Sequence, residues 1–295
     1  MKGRWIYGSL LAVAVTLAVV RPLAGWGFWA HKQINSFAIR SLPAGIREFF
    51  SAHADSIVEY SILADLRRDE EDQEQYNHYI DIDRYGTYPF SELPRDMKEA
   101  QAKYGVDSVR NNGIVPWRIT SLLGQLTESM KMKNTREIIL YAADLGHYVA
   151  DVHMPLHTTE NYDGQLTGQV GVHWRFESEL TERFGMSYNL AAGKAEYIED
   201  PLTFVFEMVA ESYLLVDSVL HADTKAKEGI PKGELYQIVK KHGRNEYHYS
   251  SLYYDRFKVF VSGLAERRMR TAVHRLASFW YTAWVNAGRP KLSDG

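Results

Sequence analysis

Cysteine is absent from all 295 residues, so no disulfide can brace the fold. An exported chain of this kind must be held together by its core or by something else, such as bound metal. An excess of basic residues is also missing: 34 Lys and Arg stand against 37 Asp and Glu, a net charge of −3. That balance excludes a general attraction to phosphate backbones, so any phosphate must be drawn locally. Long period-two alternation is lacking, and so are hairpin dipeptides flanked by strands; both absences argue against a β fold. Only one apolar run approaches membrane length, from Trp5 to Val20, and it is short for a span.

Lys2 and Arg4 precede that run and the small residues Ala24 and Gly25 follow it. This is the layout of a secretory signal peptide over residues 1–25. An uncleaved anchor is the alternative reading, because Arg21 and Leu23 make an imperfect cleavage region. Removing the segment takes away three positive charges and no acid, which moves the net charge from −3 to −6. Residues 26–295 are then the expected working domain, exported to the periplasm or the medium and without a further membrane-spanning segment.

The rest of the chain reads as helical. Segments 135–152, 203–220 and 252–287 carry apolar residues at three- and four-residue spacing. Gly113 with Pro116, and Gly229 with Pro231, fall between such segments as breaks. No repeat or linker interrupts them, so the expected fold is all-α, a single compact multi-helix domain working as a monomer. The acidic run Asp69 to Asp72 reads as a solvated loop.

Eleven histidines are few enough to inspect singly. In HYVADVHMPLH, His147 and Asp151 lie one helical turn apart on one face, Pro155 ends the helix, and His157 follows in the turn. In HWRFE, His173 and Glu177 repeat the i,i+4 pairing. One such pair is commonly a surface salt bridge or a satisfied histidine. Two pairs, joined by a His turn and the Gly-rich loop 161–171, point to a metal site of imidazole and carboxylate, the ligand set of zinc. Asp65 in ADLRR and His78 in NHYIDID add candidates that converge if the helix from Ser56 packs beside that of His147.

Taken in order, W-x4-H, then Asp, His, H-x3-D-x5-H and H-x3-E, the pattern resembles the zinc-dependent phospholipase C and single-strand nuclease superfamily. The likeness covers the ligand segments from Trp26 to Glu177; later helices are similar in character only. It implies an all-α fold and three Zn2+. Trp26, through a free α-amino group and its carbonyl, would share one ion with His31 and Asp151. Asp151 would bridge to a second ion held by Asp65, His78 and His147, and His157, His173 and Glu177 would hold the third. Metals so placed lower the pKa of a water from 15.7 towards about 7, which supplies a hydroxide for in-line attack on phosphorus. Asp65 would also orient that nucleophile, and phosphate would be drawn by metal rather than by a basic surface.

The same resemblance bears on the substrate. The positions of the phospholipase choline cage are here Trp29, Leu66 and Gln75, which offer no carboxylate and one aromatic face for a cation. The nuclease positions are better filled: Tyr79 to stack on a base, Asp81 for the base edge and Arg68 for phosphate. Core packing for Tyr79 and ion pairs for Asp81 and Arg68 are their plainer readings. Glu177, where nucleases usually carry Asp, and the absent disulfides of fungal and plant nucleases pull the other way. The expected activity is hydrolysis of single-stranded nucleic acid or nucleotides, with a phospholipase C acting on phospholipid as the alternative. A non-catalytic zinc-binding surface protein is the third reading; a lost ligand would mark it, and none is missing.

Overall fold

The computed structural model describes residues 26–68, 70–241 and 244–292; the expected leader, residues 1–25, lies outside them. Chain order runs α1 Phe28–Ser41, α2 Ala44–Ala52, α3 Ala54–Tyr60, α4 Leu63–Arg67, α5 Met97–Tyr104, α6 Val106–Asn111, α7 Val115–Met132 and α8 Thr135–Val152. Next come α9 Val172–Trp174, α10 Leu180–Phe184, α11 Pro201–Tyr213, α12 Val216–Lys227 and α13 Lys232–Leu235. The hairpin β1 Tyr236–Lys241 and β2 Arg244–Tyr249 precedes α14 Ser251–Phe260 and α15 Leu264–Asn286. The protein is therefore all-α in class, as its sequence implies, and among the described residues no helix is long and apolar enough to cross a membrane.

The central element is α8. The Asn134 side chain caps its first turn by accepting from the Glu137 N–H, which satisfies one of the donors that a helix start leaves orphaned. Between Ala142 and Val152 only Asp144 escapes full burial, so this half of α8 lies inside the molecule. Around it pack α1, α3, α7 and α15. From α15, Trp280 donates its indole N–H to the Ala142 carbonyl at 3.1 Å. One turn further along, α1 comes close because α8 has Gly146 there: a Cβ on that residue would stand 2.0 Å from Asn35 Oδ1. This close approach brings the rings of His31 and His147 into a stack, centroids 4.0 Å apart and 9° from parallel.

Several expectations are refined. Segment 203–220 divides into α11 and α12 around Leu214 and Leu215, and 252–287 into α14 and α15 across Ser262 and Gly263, both at positive φ. The helix from Ser56 stops at Tyr60, and Asp65 rides on the short α4. His173 and Glu177 belong not to a plain α-helix but to α9 running into a π-helical turn over Arg175–Glu179. The antiparallel pair β1–β2 was not expected at all. Glu70, Glu71 and Asp72 are exposed as anticipated, while Asp69 lies outside the described residues.

Candidate metal centre

All eight His, Asp and Glu candidates are buried, and they gather into three groups whose ligand atoms lie within 4.8 Å of one another. His31, Asp65 and His147 form one, His78, His147 and Asp151 a second, and His157, His173 and Glu177 the third. The first two interlock through His147. Asp151 touches both: its Oδ1 is 3.4 Å from His31 Nε2, and its Oδ2 is 3.0 Å from His78 Nδ1 and 3.2 Å from His147 Nε2. Asp65 Oδ1 stands 3.8 Å from both His78 Nδ1 and His147 Nε2. Glu177 Oε2 is 3.0 Å from His173 Nε2, which faces His157 Nε2 at 3.2 Å.

Whether a metal fits can be judged from the tautomers. His147 Nδ1 donates to the Ser61 carbonyl at 2.7 Å, His157 Nδ1 to that of His78 at 2.8 Å and His173 Nδ1 to that of Tyr162 at 2.8 Å. Each ring then turns its Nε2 inward, where loss of one proton leaves a lone pair for a metal. His157, His173 and Glu177 thus aim three acceptors at one point, and neither Glu177 oxygen has a hydrogen-bond donor. Asp65 Oδ1, Asp151 Oδ1 and both His31 nitrogens are likewise buried without one. Acceptors left so cost about 1–3 kcal/mol each, whereas a divalent cation in each cluster satisfies those that face it. Backbone carbonyls holding the far side of ligand histidines are the usual outer support of a metal site.

The titration of these groups divides them. Burial takes His31 down to about 4, helped by the charge of His147, and takes His78 down to about 3. Both are therefore neutral near pH 7 and able to ligate. Burial lowers His147 too, but the Asp151 and Asp65 carboxylates outweigh it and lift the ring to about 9. Burial lifts Asp65 to about 7. It also pushes Asp151 upward, yet the adjacent His147 and His157 hold that carboxyl well below its ordinary range. Asp151 is the permanent anion of the site.

The remaining candidates lie around this core. Trp26 is fully buried, its indole N–H donating to the Ala150 carbonyl at 2.7 Å, one residue before Asp151. Arg68 Nη1 is 3.8 Å from Asp65 Oδ1. Tyr79 is half-buried against Gly113, and its hydroxyl donates to the Asn111 carbonyl at 3.0 Å. Asp81 lies 3.8 Å from Arg84 Nε, and burial raises its carboxyl to about 7. The choline-cage positions are spent elsewhere: the Trp29 ring presses on Gly185, and Leu66 and Gln75 are exposed. His153, two residues past Asp151, belongs elsewhere: its Nδ1 donates back to the Val149 carbonyl at 2.7 Å, and its Nε2 lies 3.4 Å from Arg275 on α15.

Two supporting groups escaped the sequence reading. Buried Glu74, one turn before His78, lies 3.7 Å from His78 Nε2 and accepts from the Tyr148 hydroxyl; its E-x3-H spacing was the available signal. Arg175, between His173 and Glu177, donates to Asp223 Oδ1 on α12 at 3.0 Å and to the carbonyls of Gln169 and Val170. Asp223 also accepts from Tyr253, Gln169 and Lys227. Nothing in the sequence links residues 175 and 223. Breaking a buried pair by removing one partner costs about 3–5 kcal/mol, so Asp223→Ala is expected to lower the urea midpoint by a corresponding amount. An unchanged midpoint would show that Arg175 finds another anchor.

A mostly helical domain with three buried histidine–carboxylate clusters defines a multinuclear metalloenzyme. The family model of the S1/P1 nucleases matches residues 26–280, and the chain belongs to that family of zinc-dependent phosphodiester hydrolases. No curated protein matches it.

Proposed function

We propose that residues 26–295 act as an exported hydrolase of single-stranded nucleic acid or nucleotides, completed by three Zn2+ and by cleavage between Gly25 and Trp26. In this reading the Trp26 amine and carbonyl, His31 and Asp151 hold one ion. Asp65, His78, His147 and again Asp151 hold the second, and His157, His173 and Glu177 the third. The observation that carries it is the divided carboxylate of Asp151, with Oδ1 towards His31 and Oδ2 towards His78 and His147. One oxygen for each histidine set is what a bridging ligand needs. The family match opens at residue 26, which supports a mature chain beginning there. The basic-then-apolar layout of residues 1–25 supports export to the periplasm or the medium.

Bound in these clusters, zinc supplies Lewis acidity and an acidified water. The protein's own groups do the rest. Asp65 aligns the attacking oxygen by accepting its hydrogen bond. Arg68, alongside Asp65, pairs with a phosphate oxygen. The Tyr79 ring stacks on a base without reading it, and Asp81, protonated in part near neutrality, meets the base edge.

The test offers the zinc-loaded mature chain single-stranded DNA, RNA and phospholipid vesicles, before and after chelation. Nucleotide release that chelation abolishes and zinc restores is expected. Release of diacylglycerol without nucleotide would overturn the reading in favour of a phospholipase.

A further inference from the structure

The β1–β2 hairpin has a function of its own to explain, because most of it is exposed and its base, at Tyr249, packs on the core. Its ladder pairs Tyr236 with Tyr249, Ile238 with Tyr247 and Lys240 with Asn245 on one face. That face carries three tyrosines, an isoleucine, a lysine and an asparagine, and no carboxylate, in a chain holding 37 acids. Tyr247 is 75 % exposed, Ile238 58 % and Tyr236 44 %. The other face differs, with Glu246 paired to His248 at 3.1 Å.

The root of the same face runs into the metal centre's support. The Arg175 guanidinium lies 4.6 Å from the Tyr249 ring centre and Lys227 Nζ 5.3 Å from it. Tyr249 in turn stacks on Tyr253 at 4.3 Å and lies 4.8 Å from Tyr236. Arg175 is the residue between His173 and Glu177. Rings and cations therefore run from the third cluster's own turn to the Tyr236–Tyr249 pair at the base of this face.

We propose that this face is an accessory arm for single-stranded nucleic acid, gripping the polymer beyond the nucleotides held at the metal centre. Exposed aromatic side chains with a lysine among them, on a face that carries no carboxylate of its own, are the chemistry that holds unpaired bases and their phosphates. Successive cross-strand pairs on one face are about 6.8 Å apart, twice the roughly 3.4 Å rise per nucleotide of a stacked strand, so one base fits between neighbouring side chains. A duplex, whose bases are already stacked, cannot use such spacing. A lipid surface would want apolar residues at the outermost described pair of this face, where Lys240 stands opposite Asn245. The proposal rests on the nuclease reading and adds where the rest of the strand lies.

The test compares the zinc-loaded enzyme with Tyr247→Ala and with the double variant Ile238→Ser and Lys240→Glu, on a dinucleotide and on a long single-stranded oligodeoxynucleotide. A stacked base is worth enough that KM for the oligonucleotide should rise about tenfold, with kcat and the dinucleotide constants unchanged. Losing Lys240 should also flatten the salt dependence of log KM by about 0.7 per phosphate contact. Equal losses on both substrates, or none on either, would overturn the arm. So would a variant that changes only vesicle binding or oligomeric state. Oligonucleotide binding by fluorescence anisotropy is measured in parallel. If the wild type hydrolyses neither substrate, the nuclease reading fails, and anisotropy still decides whether the hairpin binds the strand.

Discussion

Asp151→Ala should lower kcat by at least about a thousandfold, the scale of removing a charge-stabilising group from a water-excluded site. The same variant should lose two of three zinc ions and keep the third. Both effects follow from its position. Asp151 is fully buried, and its two oxygens meet His31 on one side and His78 and His147 on the other. Alanine removes the one anion shared by both interlocked groups, while His157, His173 and Glu177 retain their convergence. Without that carboxylate the two interlocked groups also lose the negative charge that offsets their ions. Zinc counting beside kcat, with circular dichroism to establish that the helices remain, separates this from unfolding. A folded variant with three zincs and near-normal turnover would remove Asp151 from its bridging role.

The second large effect concerns the chain's start. A mature protein carrying one extra residue, Gly25, should bind two zincs instead of three and lose more than the 10–100-fold typical of disturbing a ligand's outer partner. The loss is large because residue 26 cannot shift to compensate. Its indole is fixed by the hydrogen bond to Ala150, and the backbone behind it is confined: a Cβ on Gly27 would stand 2.7 Å from Ser178 Oγ. An amide nitrogen in place of the free amine has no lone pair to offer a metal. N-terminal sequencing and zinc counting on one sample are the check. Full metal content and activity with Gly25 retained would refute the ligand role of Trp26.

Much of this arrangement is legible in the residues alone. The α8 boundaries at Thr135 and Val152 follow from apolar periodicity, an Asn cap and a following proline. The ligands of α8 are legible for the same reason, since a helix of known phase fixes which side chains share a face. What stayed hidden has physical causes. The hairpin stands off the core except at Tyr249, so it leaves no apolar alternation to detect. The π turn at Arg175–Glu179 depends on tertiary anchoring of Arg175 by Asp223, a contact that spans 48 residues. Helix breaks at Leu214–Leu215 and Ser262 interrupt segments whose local composition remains helical. Glu74 resembles its exposed neighbours Glu70 and Glu71, and beyond its spacing to His78 only its contacts with Tyr148 and Arg67 set it apart.

The part played by α15 has a consequence for timing. Every proposed ligand has been synthesised by residue 177, yet the helix that carries them is still bare on one side. Trp280 closes that side through Ala142 and Phe50, and Arg268 reaches the His153 carbonyl just beyond the end of α8. At about 5–20 residues per second, that closure comes roughly five to twenty seconds after the last ligand emerges. A nascent chain thus holds its full set of proposed zinc-binding side chains well before it has walls around them.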